Sequence, residues 1–325
     1  MAEVKLWRAI NRALHDGMAA NPDVILLGED VASPGGAYGL TRGLLHEFGP
    51  ERVRDTPISE AALLGCAVGA ALMGLRPVVE VMFMDFLALA LDQLVNQAAK
   101  QRFYLGEGSK LPLVVHTLYG GRASMGAQHS QSLEAWVCHV PGLTVAFPST
   151  PQDAYSVLRA AIDADRPMVV IESISLLTSR GRFDPGLYQP GSAGIGSCRR
   201  VRTGERLTVV SYGPAVGVCE RALDLAGVQA DLLDLCWLQP WDFEAVRASV
   251  RKTSRLLVVH DAVQAGGWGA EVSARIAGEE FWSLDAPPRR VGAESSPIPV
   301  HADDWSRLLP GAERVAAAIR ELVAT

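Results

Sequence analysis

The sequence predicts an α/β protein of two domains, the first built on a largely parallel sheet with helices on both faces. Three observations predict it. Short runs rich in Val, Ile and Leu alternate with helical patterns along most of the chain. The runs are apolar on both sides, as parallel strands covered twice must be. And 325 residues, 49% of them hydrophobic and only 20% charged, suffice for two ordinary cores.

Taken in order, MAEVKLWRAINRALHDGM reads as an amphipathic helix with charges throughout, and VILLG is the first strand. A helix opens near Glu60, PVVEVMF is a strand, a helix runs from Asp85 to Phe103, and LPLVVHT is the next strand. LTVAF, a helix from Pro151 to Ala164, and MVVIE complete the first domain, 1–180. Between about Ser173 and Arg206 periodicity lapses and Gly, Pro, Ser and Arg accumulate, which suits an ordered linker, 181–205. Alternation resumes through LTVVSYG, a helix from Ala215 to Ala226, VQADLLDL, a helix near Phe243, RLLVVHD and a terminal helix. These form a smaller α/β domain, 206–325.

Composition narrows the function classes. A formal net charge of -6, with Lys and Arg scattered, argues against nucleic acid as a partner. The longest apolar segment, AALLGCAVGAALMGL, is short and broken by glycine, so no membrane span is expected. The N-terminal pattern has no secretory features, and a cytoplasmic location is expected. Five cysteines without CxxC spacing, four of them in apolar runs, read as reduced core residues. HExxH, paired Cys/His spacing, GxGxxG, the P-loop pattern and GxSxG are all absent from the sequence.

Four side chains are candidates for chemistry. Glu60 follows DTPIS, with Ser59 placed as a helix N-cap, and opens an apolar helix. One reading is a first-turn glutamate favoured by the helix dipole. The other is a carboxylate in a helix buried on all sides, with a raised pKa suited to relaying protons. His129, in YGGRASMGAQHSQSLEAW, ends a glycine-rich stretch before a helix with Ser130 or Ser132 available as cap, and serves equally as proton acceptor or loop brace. Glu29 lies in LGEDVASPGGAYG, a loop at the carboxyl end of a strand, where open α/β sheets bind ligands and where GG pairs also mark ordinary turns. Phe86 follows a strand end and offers a flat face to a planar ring, or is simply core.

LGEDVASPGGAYGLTRGLLHEFGPERVRDTPISEAALLGCAVGAALMGLRPVVE, DFLALALDQLVNQAAK, GAQHSQSLEAWVCHVPGLTVAFPSTPQDA and VVHDAVQAGGWGAEV resemble, in order and spacing, the beta subunits of thiamine-diphosphate-dependent 2-oxo acid dehydrogenase decarboxylases. These are the pyruvate, branched-chain 2-oxo acid and acetoin types. The resemblance spans nearly the whole chain. It implies a transketolase-like pyrimidine-binding domain followed by a transketolase C-terminal type domain. It also implies oxidative decarboxylation of a 2-oxo acid with acyl transfer to lipoamide, inside an alpha2-beta2 heterotetramer that works with a lipoyl acyltransferase.

By the same resemblance the alpha subunit holds the diphosphate and magnesium through a GDG motif, and this chain has no GDG. Glu60 matches the glutamate that bonds the aminopyrimidine nitrogen, Phe86 the aromatic packed on that ring, and His129 the histidine facing the reacting carbon. A structural potassium held by backbone carbonyls is implied at Leu113, Ala161, Ile162, Ala164 and Arg166. Three departures bear on the substrate: His116 stands where an arginine is usual, SISLLTSRG replaces a Leu-Tyr pair, and Asp261 stands where glutamate is commoner. The rival expectations are a split transketolase-like subunit transferring ketol units between sugars, and a noncatalytic scaffold of the same fold.

Overall fold

In the computed structural model, which describes residues 2–106, 108–120, 125–191 and 194–325, the chain forms two compact units. The first comprises Met1–Gly120 and Trp136–Gly194; the second comprises Gly121–Ala135 and Ile195–Thr325. Residues 125–135 therefore belong with the C-terminal half although they interrupt the N-terminal one.

In the first unit, strand β1 (Ala2–Lys5) precedes helix α1 (Leu6–Ala20), followed by β2 (Val24–Gly28), α2 (Leu44–Phe48), β3 (Val53–Asp55), α3 (Glu60–Leu72) and β4 (Arg76–Val81). The single helix expected from Asp85 to Phe103 is instead a turn at Met84–Phe86, then α4 (Leu87–Leu91), a wider π-helical stretch over Asp92–Ala98, and α5 (Ala99–Leu105). Then come β5 (Val114–Tyr119), α6 (Glu134–Cys138), whose first two residues are counted with the second unit, β6 (Thr144–Ala146), α7 (Pro151–Asp163), β7 (Met168–Ser173) and β8 (Arg180–Phe183). Within this unit the strands are all parallel in the order β6-β7-β5-β4-β2-β3. β1 and β8 pair antiparallel as a separate ribbon, so the chain's first residues are strand, not helix, and the expected linker begins with a strand.

Local chemistry accounts for these boundaries. α7 starts where the Thr150 hydroxyl accepts from the Asp153 amide at 3.2 Å and donates to the Asp153 carboxylate at 2.6 Å, with Pro151 in the first turn. α1 lies close against α7 because Gly17 has no side chain: a Cβ there would stand 2.8 Å from Ile162 Cδ1. Leu6, Ile10, Leu14 and Met18, one helical face, are all buried.

The second unit contains β9 (Arg199–Arg202), β10 (Thr208–Ser211), α8 (Ala215–Ala226), β11 (Asp231–Asp234), β12 (Trp237–Gln239), α9 (Phe243–Thr253), β13 (Leu256–Val263), α10 (Gly269–Glu279), β14 (Arg289–Ala293), α11 (Ala302–Leu308) and α12 (Ala312–Ala324). Its sheet runs β14-β13-β10-β11-β9, parallel except for β9 at the edge. α8 and α12 cover one face with Val216, Cys219, Leu223, Val315, Ile319 and Leu322. Asp242 caps α9 by accepting from the Ala245 amide, and Gly227 ends α8 in the left-handed conformation at φ 66°.

Candidate functional site

The carboxyl ends of β2 and β4 carry the first candidates. Glu29 directly follows β2, Glu60 opens α3, and Phe86 lies in the turn that follows β4. Glu60 is buried and Glu29 half-buried. Burial raises the Glu29 pKa, and the neighbouring charges of Glu60 and Asp30 raise it further, so these carboxylates share one electrostatic environment. Ser59 occupies the N-cap position of α3, yet its side chain makes no capping bond.

The structure corrects the expectation that α3 is buried on all sides. Leu63, Leu64, Ala67, Val68 and Ala71 face inward, whereas Ala61, Ala62, Cys66, Gly69 and Leu72 are exposed. Cys66 is thus a surface thiol, and all five cysteines are free. Beside this outer face lies a groove of about 580 Å³, lined by Ile25, Leu27, Arg54, Ala62, Leu63 and Cys66 among others. Met73, just past the helix, is 85% exposed, which continues the apolar surface.

Phe86 is half-buried and meets Phe83 edge-on at 5.5 Å, and Phe83 in turn meets Tyr38 of the loop after β2 at 6.3 Å. This aromatic ladder ties the 29–41 loop to the turn after β4. Asp30 adopts φ 56°, and the Gly36 amide donates to its carbonyl at 2.9 Å, which folds the loop back on itself.

His129 belongs to the second unit. It is half-buried, and the glycine-rich stretch before it, residues 121–124, lies outside the described residues. Five residues on, α6 begins with Glu134, which is wholly buried. The Tyr212 hydroxyl donates to Glu134 Oε1 at 2.5 Å and the Ser132 hydroxyl to Oε2 at 2.6 Å. Of the two expected caps, Ser132 therefore engages the Glu134 side chain. Tyr212 stacks on His260 at 6.2 Å and meets Trp268 edge-on at 5.4 Å. His260 is confined by backbone: Cβ atoms on Gly267, Gly269 and Gly292 would approach its ring to 2.9, 2.6 and 2.9 Å. Burial lowers the His260 pKa, favouring the neutral ring, and its Nδ1 lies 3.0 Å from the Ala262 carbonyl. Sequence reasoning missed Glu134, Tyr212 and His260. Their signal was a charged or polar residue inside an otherwise apolar segment.

The carbonyls of Leu113, Ala161, Ile162, Ala164 and Arg166 are the potassium ligands that the resemblance implies. The Leu113 carbonyl accepts from the Met168 amide at 2.9 Å, and the Ala161 carbonyl from the Ala164 amide at 3.3 Å. Arg76 donates to the Ile162 carbonyl at 3.0 and 2.9 Å and to the Ala164 carbonyl at 2.6 Å, while pairing with Asp165 at 2.9 Å. Arg76 thus faces two of the five implied oxygens. Among the described residues no group of three or more His, Cys, Asp or Glu side chains could hold a metal.

Two α/β units of this topology, with acidic groups at the strand ends of the first, define a transketolase-like protein. The first unit matches the family model "Transketolase, pyrimidine binding domain" over residues 2–179, and the second matches "Transketolase, C-terminal domain" over residues 196–315. The chain belongs to this family, within the group of 2-oxo acid dehydrogenase beta subunits.

It is 37% identical to the mitochondrial pyruvate dehydrogenase subunit beta-2 of Oryza sativa, over 98% of this chain and 86% of that one. It is 36% identical to the acetoin:2,6-dichlorophenolindophenol oxidoreductase subunit beta of Cupriavidus necator, over 96% and 95%. It is equally 36% identical to the 2-oxoisovalerate dehydrogenase subunit beta of Pseudomonas aeruginosa, over 99% and 96%. A solved split-gene transketolase, described as an inactive beta4 tetramer, shares the fold at TM-score 0.80 over 99% of this chain and 98% of that one, at 20% identity. No helix among the described residues is long and apolar enough to cross a membrane.

Proposed function

We propose that this chain is the beta subunit of a thiamine-diphosphate-dependent 2-oxo acid dehydrogenase, contributing the pyrimidine half of the cofactor site. The observation that carries this reading is the buried Glu60 at the head of α3, electrostatically coupled to Glu29, in a chain 36–37% identical to three such beta subunits. The residues fit the aminopyrimidine ring: a buried carboxylate to bond a ring nitrogen, and the half-buried Phe86 to cover a ring face.

Thiamine diphosphate, when bound, supplies the nucleophilic carbon and the electron sink for decarboxylation. Glu60 holds and moves the proton at the pyrimidine nitrogen. Glu29 contributes to the polar wall on that side. His129 orients the substrate and the acyl unit on its way to lipoamide. The alpha subunit holds the diphosphate and its magnesium, since this chain carries no GDG segment. The exposed face of α3, with Met73 and the adjoining groove, offers apolar surface for that alpha subunit in an alpha2-beta2 assembly. A lipoyl acyltransferase receives the product. Five free cysteines support residence in the reducing cytoplasm.

The split-transketolase reading shares the fold with this one at 20% identity, well below the level shared with the dehydrogenase subunits. The test is decarboxylation of a panel of 2-oxo acids by this chain co-expressed with its alpha partner. Glu60→Gln should assemble normally and lose activity by ~10²–10⁴-fold, the usual contribution of a positioned proton-transfer group. Undiminished turnover would remove Glu60 from the role, and ketol transfer between sugars without decarboxylation would overturn the function.

A further inference from the structure

The central strands of the first unit carry three ionisable side chains in its interior. Glu80 on β4 is 3% exposed, and His116 on β5 and Glu172 on β7 are wholly buried. Glu80 and His116 are direct cross-strand partners; Glu172 stands opposite Leu118, two residues beyond His116, and so on the same face. The imidazole lies between the carboxylates, Nε2 at 2.6 Å from Glu172 Oε2 and Nδ1 at 3.6 Å from Glu80 Oε2. Both are ion-pair distances, and neither contact has the geometry of a hydrogen bond.

Two carboxylates cannot both stay ionised in such a place without a cation between them. The titratable groups acting on the imidazole are Glu172 and Glu80. Burial pulls the His116 pKa down, but these two carboxylates outweigh it and carry it up to about 10. Burial likewise raises Glu172, against the pull of His116.

The cluster also bears on the loop that follows β2. Gly28 pairs with Glu80, and a Cβ on Gly28 would stand 2.9 Å from the Glu80 carbonyl oxygen, so the backbone just before Glu29 is pressed onto Glu80. Further along, a Cβ on Gly36 would lie 3.5 Å from Glu80 Oε1. The loop closes over this point through Thr41, whose hydroxyl donates to the Val31 carbonyl at 2.7 Å.

We propose that Glu80, His116 and Glu172 act as one buried charge cluster, with a protonated His116 at its centre, that positions the 29–41 loop and with it Glu29. His116 is thus a positioning residue that touches neither cofactor nor substrate. The link to Glu29 as a cofactor-site residue rests on the function proposed above; the protonated cluster and its hold on the loop do not.

The experiment uses the full chain, with histidine-selective 15N labelling and amide exchange. The His116 ring should give imidazolium nitrogen shifts at pH 8, and a neutral-tautomer signal there would overturn the proposal. Glu80→Gln leaves one imidazolium against one carboxylate and should fold normally, while amides in 29–41 exchange at least 10-fold faster. Unchanged exchange would refute the positioning role.

His116→Gln leaves two buried carboxylates, one of which must take up a proton. A carboxyl with a raised folded-state pKa stabilises below its unfolded value and loses that stabilisation as pH rises. This variant should therefore weaken from pH 5 to pH 6.5 relative to the parent, whose own His116 pKa, raised from 6.5 to about 10, makes it lose stability in turn only above pH 6.5. His116→Arg, a permanent cation, should remove that slope; a parallel pH profile for the glutamine variant would overturn the cluster. In the assembled enzyme, Glu80→Gln should raise KM for thiamine diphosphate more than it lowers kcat. If the assembled enzyme transfers ketol units between sugars without decarboxylating 2-oxo acids while the labelled histidine is cationic, the function falls and the cluster stands.

Discussion

Replacing Tyr212 with Phe removes one oxygen atom and leaves Glu134 Oε1 buried without its donor. The bond removed is short, 2.5 Å, and its acceptor is a carboxylate with no solvent exposure. Hydrogen bonds to charged groups contribute ~1.5–3 kcal/mol, so the variant should lose about 2 kcal/mol. For a unit near 150 residues that corresponds to a melting shift of about 4–8 °C. Urea unfolding followed by tryptophan fluorescence is the assay, because Trp268 packs edge-on against Tyr212 and reports the site directly. Ser132→Ala removes the second donor to the same carboxylate. The double variant should depart from additivity by at least ~0.5 kcal/mol, as expected when two groups share one partner. A Tyr212→Phe loss below ~0.5 kcal/mol would mean that Glu134 is satisfied otherwise and that this bond does not anchor the segment carrying His129.

Two further outcomes are expected. Asp231 is buried, and although burial alone would raise its pKa, the bonds from Lys252, the Gly204 amide, Ser249 and Arg200 hold it at about 2 instead of 3.8. At about 1.4 kcal/mol per pH unit its ionised form adds about 2 kcal/mol, present above pH 3.8 and lost as pH falls toward 2. Asp231→Asn should thus cost about that much at pH 7 and progressively less in urea titrations below pH 4, whereas a pH-independent deficit would contradict it. Exchanging potassium for sodium at constant ionic strength should leave the melting temperature of the first unit unchanged, since Arg76 already brings a positive charge to the Ile162 and Ala164 carbonyls; a potassium-specific rise would show that these carbonyls hold a cation as well.

Much of the architecture was written in local patterns. The apolar runs at 24–28, 114–119 and 168–173 are strands, and the Thr-Pro-Gln-Asp start of α7 states its own cap. β1 and β8 escaped because an antiparallel pair of four-residue strands with exposed, charged side chains has no apolar periodicity, and its partner lies some 180 positions away. α3 misled for a different reason: its apolar residues run all round, and the sequence does not say which side meets the molecule's own core and which is left outward.

The candidate site divides in the same way. Glu29, Glu60 and Phe86 sit at strand ends or helix starts, where local signals exist. Glu80, His116 and Glu172 are each a lone ionisable residue in an apolar strand. Each announces that a partner must exist, but only the strand order β4-β5-β7 says which. The two-domain α/β fold is as expected, yet residues 125–135 group with the second unit, where Glu134 is bonded to Tyr212, a pairing 78 residues apart in sequence.

That crossover limits how the protein can be recombined. A chimera cut near residue 195 would graft a foreign C-terminal half onto a parent that still supplies the strip around Glu134, and the incoming Tyr212 equivalent would have to recognise a carboxylate it did not evolve with. The exchangeable module is therefore discontinuous, comprising 125–135 together with everything after 195.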